Sequence, residues 1–66
     1  SGFLLADGRR ITIKNDWNSP DPQVRGFLLA VRTSACRRFK TVLSPDYNKL
    51  HHDHFHLDMG RGPFCR

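Results

Sequence analysis

Apolar and polar residues along this chain change their period as the chain proceeds, and each change marks an element. The opening GFLLADGRRITI is an apolar run, then Asp7-Gly8, then an alternating run in which Ile11 and Ile13 share one face. An Asp-Gly pair between two such runs predicts a hairpin with strands over 2–6 and 9–14, since both central positions of the favoured turn need positive φ. KNDWNSPDP follows and reads as loop. Asp21-Pro22 then reads as an N-cap followed by proline at the first helical position, where a missing N–H costs nothing. Behind it Val24, Phe27, Leu28, Val31 and Ala35 recur at helical spacing, with Arg25, Arg32 and Arg38 elsewhere on the wheel. That stripe predicts one amphipathic helix over 22–38 with Phe27 and Leu28 in the core. Arg37 and Arg38 suit the negative end of its dipole.

Thr41-Val42-Leu43 is a short β-prone run, and SPDYN after it is rich in turn formers. The last strand is HFHLDM, with period two: His54, His56 and Asp58 on one face, Phe55, Leu57 and Met59 on the other. Phe55 and Leu57 are expected to be buried and to hold the strand rigid. Residues 60–66 read as a terminal loop. The expected fold is α+β: a small antiparallel sheet, made of the N-terminal hairpin and the C-terminal His-x-His strand, packed on one amphipathic helix.

Length sharpens this picture. A chain of 66 residues buries only about 60% of its unfolded surface, so its core is marginal and a disulfide, a metal or another chain is expected to help. Cys36 and Cys65 could close a loop of about 30 residues, worth roughly 3 to 4 kcal/mol in the chain-entropy picture; two buried free thiols are the alternative, and composition does not choose between them. Eleven Lys and Arg against six Asp and Glu give a net charge of +5 and favour polyanionic neighbours. The cations are dispersed, however, without a long basic run or the aromatic interleaving of an RNA-binding sheet, so a solvated basic surface is the better reading than a nucleic-acid site. No stretch approaches the ~20 apolar residues of a membrane span.

All four histidines, His51, His52, His54 and His56, lie within one short segment. On a strand, His54 and His56 would point the same way with side chains about 6 to 7 Å apart, close enough for one to bind an ion and the other to touch a water on it. His51 could fold back over the same place, whereas His52 has no assigned position. Asp53 and Asp58 could accept a ring N–H and fix a tautomer. The bland alternative is a polar sheet surface. A catalytic zinc takes three protein ligands plus water, and nothing in the spacing of Asp16 or Asp46 argues that either completes the set.

SPDYN followed by HHDHFHLDMG and a terminal FCR resembles the end of the bacterial extensin-like C-terminal domain, and ADGRRITI followed by DW and a helix ending in AC resembles the segment before it. The similarity runs along the whole chain, as the later part of that family's domain. That family is in turn similar to the LAS metallopeptidases, the zinc-dependent D-alanyl-D-alanine carboxypeptidases and murein endopeptidases. There a His and an Asp of an early S-x-H…D motif and the second His of a later H-x-H bind the metal. The resemblance implies His56 as the zinc ligand, His54 as its catalytic partner beside the metal's water, and His51 as an additional active-site histidine. No S-x-H…D motif is present, so residues 1–66 are expected to be the C-terminal portion of a single larger LAS-like domain.

Two zinc ligands would then come from residues upstream of Ser1, and the N-terminal portion of the same domain, as a preceding segment or a separate chain, is the expected partner. The implied function is hydrolysis of peptide bonds in peptidoglycan stems or cross-links, with Arg9, Arg10 or Arg61 able to meet a substrate carboxylate. The implied location is exported, in the periplasm or cell envelope, a setting that suits a Cys36–Cys65 disulfide. An inactive relative that holds the wall polymer by its basic surface is the competing reading, and a nucleic-acid-binding module ranks last. Alone, this chain is expected to be inactive and to bind metal weakly.

Overall fold

The computed structural model describes residues 2–66. The order of elements is β1 (Gly2–Leu4), β2 (Arg10–Thr12), α1 (Ile13–Asp16), α2 (Pro22–Arg38), β3 (Thr41–Leu43), a single 3-10 turn (Lys49–His51), β4 (His56–Asp58) and β5 (Phe64–Cys65). The fold is α+β, as the periodicity predicts, with two small sheets and one main helix.

β1 and β2 form the expected antiparallel hairpin, with Gly2 opposite Thr12 and Leu4 opposite Arg10. Its strands are shorter than predicted because the turn is wider. The Leu5 N–H donates to the Arg9 carbonyl at 2.8 Å and the Gly8 N–H to the Leu5 carbonyl at 2.9 Å. Gly8 alone has positive φ, +90°, so Asp7 keeps an ordinary conformation and uses its carboxylate to accept from the Arg9 N–H at 3.0 Å. The pattern is a turn followed by one left-handed glycine, not a two-residue loop.

Ile13 also departs from the strand reading. Thr12 is extended and caps α1, its Oγ1 accepting from the Asn15 N–H at 3.1 Å, while Asp16 reaches back to accept the Thr12 N–H at 2.8 Å. This reciprocal cap is the logic of a capping box. It turns the chain at Thr12 and drives Ile13 and Trp17 inward, to 0% and 2% exposure. With Ile11, Val24 and Leu28 they form the core, against which Phe3, Leu5, Phe27, Leu29 and Phe55 pack. Burying each such aliphatic side chain is worth roughly 1.5–3 kcal/mol, and Phe3 adds an edge-to-face contact on Phe27 with ring centroids 5.3 Å apart.

α2 keeps the predicted bounds. Asp21 accepts from the Gln23 N–H at 2.9 Å and Pro22 opens the first turn. At the other end Phe39 is extended and its N–H donates to the Ala35 carbonyl at 2.9 Å, while the Arg38 guanidinium folds back to donate to the Ser34 carbonyl at 3.1 Å and hydroxyl at 2.6 Å.

The hairpin and the histidine strand lie in separate sheets. The second sheet has the order β4-β3-β5, with β4 antiparallel to β3 (Leu43 opposite His56, Thr41 opposite Asp58) and β5 parallel to it (Val42 opposite Cys65). The segment expected to be a terminal loop is therefore an edge strand. Cys36 and Cys65 form a disulfide across a Cα separation of 5.6 Å, which clamps β5 to α2. Gly62 admits no side chain there, because a Cβ would meet the Lys40 carbonyl. Partners in a ladder share a face, so Val42, fully buried, looks inward with Cys65 and Leu57, while Thr41, Leu43, His56, Asp58 and Phe64 look outward. Leu57 is nonetheless 40% exposed and Met59 61%. α2 packs over β3 and leaves the edge strand β4 uncovered, so of the apolar residues expected to anchor the histidine strand only Phe55 reaches the core. Among the described residues, no helix is long and apolar enough to cross a membrane.

Candidate metal and catalytic site

The turn between β3 and β4 builds the site. The Tyr47 N–H donates to the Ser44 carbonyl at 2.9 Å, the 3-10 turn begins after Asn48, and the His54 N–H donates to the His51 carbonyl at 3.4 Å. These bonds fold His51 back over the start of β4. Its ring centroid stands 5.1 Å from that of His54 and 6.2 Å from that of His56, and the Tyr47 ring meets its other side edge-on at 5.4 Å. His54 is not a strand residue, since the ladder begins at His56. The imidazoles are gathered by the turn and by the His51 ring that neighbours both, not by alternation along one strand. His52 is exposed and pairs through Nδ1 with the Lys49 carbonyl at 3.0 Å.

Each ring of the cluster is tied at one nitrogen. His54 Nδ1 lies 2.7 Å from Asp53 Oδ1, His56 Nε2 lies 2.6 Å from Asp58 Oδ2, and His51 Nδ1 lies 2.7 Å from Asn48 Oδ1. The His54 hydrogen bond holds the Asp53 carboxyl below its ordinary pKa, with the His52 and His54 rings adding to the effect. The Gly60 N–H, then His56, does the same for Asp58. Both groups are thus carboxylates that only accept, so the paired ring nitrogens carry the protons. That leaves Nε2 of His54, Nδ1 of His56 and Nε2 of His51 as the nitrogens with lone pairs in the neutral rings.

The site is fastened to the core through Phe55, whose ring meets Trp17 edge-to-face at 5.5 Å. Trp17 is itself held on every side. Its Nε1–H donates to Asp46 Oδ1 at 2.9 Å, and the guanidinium carbons of Arg25 and Arg32 stand 4.8 and 5.4 Å from its ring centroid. Arg32 also donates to Asp46 Oδ2 at 2.7 Å. The Trp17 hydrogen bond and the Arg32 guanidinium lower the Asp46 pKa, partly offset by burial. Asp16 caps α1 and Asp46 bridges Trp17 to α2, so both carboxylates have structural work. Tyr47 and Asn48 were not foreseen as members of the site. The signal available was spacing: Asn48 stands three residues before His51, one 3-10 turn away.

A family model for the extensin-like protein C-terminus matches residues 1–66. The chain belongs to this family. No curated protein and no solved structure matches it significantly. Borderline-soft imidazole donors held by carboxylates are what zinc favours, and the extensin-like chain offers them. Among its described residues, however, no three His, Cys, Asp or Glu side chains converge on one point suited to a metal ion. The described residues do not make a metal centre by themselves.

Proposed function

We propose that this extensin-like domain is a zinc-dependent peptidase of peptidoglycan, exported to the cell envelope, with His56 as a metal ligand and His54 and His51 as catalytic groups. The remaining ligands would be supplied by polypeptide outside residues 1–66, the N-terminal portion of the same domain. The observation that carries this reading is the tethering of three adjacent imidazoles, each leaving one nitrogen uncommitted. The Cys36–Cys65 disulfide supports an oxidising compartment.

Bound zinc would supply Lewis-acid polarisation of the scissile carbonyl. The chain's own groups do the rest. Asp58 fixes the His56 tautomer so that Nδ1 is the ligating nitrogen. Asp53 does the same for His54, whose Nε2 takes a proton from the attacking water and returns it to the leaving amine. His51, in contact with Tyr47 and Asn48, orients the water or the substrate carbonyl from beside the other two rings. The test is release of peptides from purified murein by the domain extended through its preceding segment. Loss of release in His56→Ala and in His54→Ala supports the reading; release that survives both changes ends it. Wall binding without any hydrolysis would favour the inactive wall-binding relative.

A further inference from the structure

We propose that Trp17 is a positioning residue of the histidine cluster, its indole joining Asp46 on one side to Phe55 on the other and so setting the His51 ring against the His54 ring. The ladder fixes only one member of the cluster. His56 is paired with Leu43, whereas His51 and His54 belong to the connection between β3 and β4. That connection is weakly held from within. Its turn bonds are long: 3.2 Å from the His51 N–H to the Asn48 carbonyl, 3.3 Å from His52 to Lys49 and 3.4 Å from His54 to His51, at or beyond the upper end of the ordinary range. No residue over 45–60 is buried.

The cluster therefore takes its spacing from the core. Beyond Ser44 at the start of the connection, and among the described residues, every side-chain hydrogen bond from the connection to the rest of the molecule ends on Asp46, which accepts from Trp17 Nε1 at 2.9 Å and from Arg32 at 2.7 Å. Asp46 immediately precedes Tyr47, whose ring meets His51. Phe55, the other residue on the Trp17 ring, stands between His54 and His56. One buried side chain thus touches the neighbours of both arms of the cluster. The Arg25 and Arg32 guanidinium groups over the indole hold its orientation, so the Asp46 arm and the Phe55 arm are placed relative to each other by a rigid plate. A shift of about 1 Å between catalytic groups can cost about 100-fold in rate, which is why a residue that touches no substrate can govern turnover. That consequence rests on the function proposed above; the spacing of the rings does not.

The experiment compares wild type, Trp17→Phe, Asp46→Ala, their double variant and the core control Ile11→Val, all in the domain extended through its preceding segment. Trp17→Phe keeps a ring against Phe55 and removes the N–H that Asp46 accepts. In metal-stripped protein, NMR should show the Overhauser contact between the His51 and His54 rings in wild type and in Ile11→Val, and its loss in both Trp17→Phe and Asp46→Ala. The Tyr47–His51 contact, which lies within one arm, should persist throughout. With saturating zinc, murein peptide release should fall about 10- to 100-fold in kcat, with KM changed by less than about twofold. The double variant should be no slower than the worse single one, because both changes break the same bond. Ile11→Val should lower the melting temperature and leave kcat unchanged, which a general loss of stability would not reproduce in the other variants. If Trp17→Phe fails to fold, Asp46→Ala, altered at a half-exposed side chain, decides the matter. A His51–His54 contact that survives in Asp46→Ala, one that is absent from wild type, or one lost equally in Ile11→Val would overturn the proposal. Intact ring spacing in a wild-type domain that hydrolyses nothing would refute the enzymatic reading alone.

Discussion

Replacing both cysteines, Cys36→Ser with Cys65→Ser, tests how this small fold is held together. The bridge joins positions 29 apart in sequence. Closing a loop of that length in the unfolded chain removes about 12 cal/mol/K of entropy, or about 3.5 kcal/mol at room temperature. Cys65 is exposed and Cys36 half-buried, so two serines bury no unsatisfied hydroxyl and the loop term dominates. A domain of this size has a total stability on the order of 3–10 kcal/mol, of which the bridge is a large share. At about 4–8 °C per kcal/mol for so small a domain, the melting temperature should fall by about 15–25 °C. The assay is a thermal melt by circular dichroism of oxidised wild type, reduced wild type and the double variant. The last two should melt together. Hydrogen exchange should show the amides of Phe64 and Arg66, which hold β5 to β3 through the Lys40 and Val42 carbonyls, losing protection first. A fall of less than about 5 °C, with those amides still protected, would refute the view that the bridge secures β5.

Gly26 in α2 has no atom near the place of a Cβ, so Gly26→Ala should stabilise the chain by about 0.5–1 kcal/mol in urea denaturation; Gly62→Ala, driven onto the Lys40 carbonyl, should destabilise it by about 2 kcal/mol or more, and equal midpoints for the two would contradict the packing described. The Asp46 pKa lies below its ordinary 3.8, so its stabilising contribution is present above about pH 4 and is lost as pH falls through the lowered value. Because the side chain is 47% exposed, Asp46→Asn should cost only about 1 kcal/mol at pH 7 and progressively less as pH falls through the lowered value, and a loss that stays constant as pH falls in urea melts would be inconsistent with a charged pair. Asp58→Asn, which alters the partner of His56, should lower zinc affinity of the extended domain by about 10–100-fold; unchanged affinity by calorimetry would remove Asp58 from the site.

α2 was fully legible because Asp21-Pro22 marks its start and the Val24 to Ala35 stripe its length, both local signals. α1 was not. Its cap uses Asp16 where the common signature has Glu or Gln one position earlier, and Ile13 continued the alternation begun by Ile11. β5 was hidden for a different reason: two residues pairing in parallel with a strand more than twenty positions earlier leave no periodic trace. At the site, His56 with Asp58 was readable from period two, since both stand on the outer face of β4. His54 was misplaced because β4 pairs only along the three residues of β3, so alternation stops at His56 and the 3-10 turn sets the geometry beyond it.

The most direct test of the proposed centre is the zinc-to-protein ratio of the domain extended through its preceding segment, measured by calorimetry on wild type and His56→Ala after metal stripping. The expected result is one tightly bound zinc in the wild type and none in His56→Ala, with its fold unchanged. One zinc bound equally well by both proteins, or none by the wild type, would contradict a metal centre at these histidines.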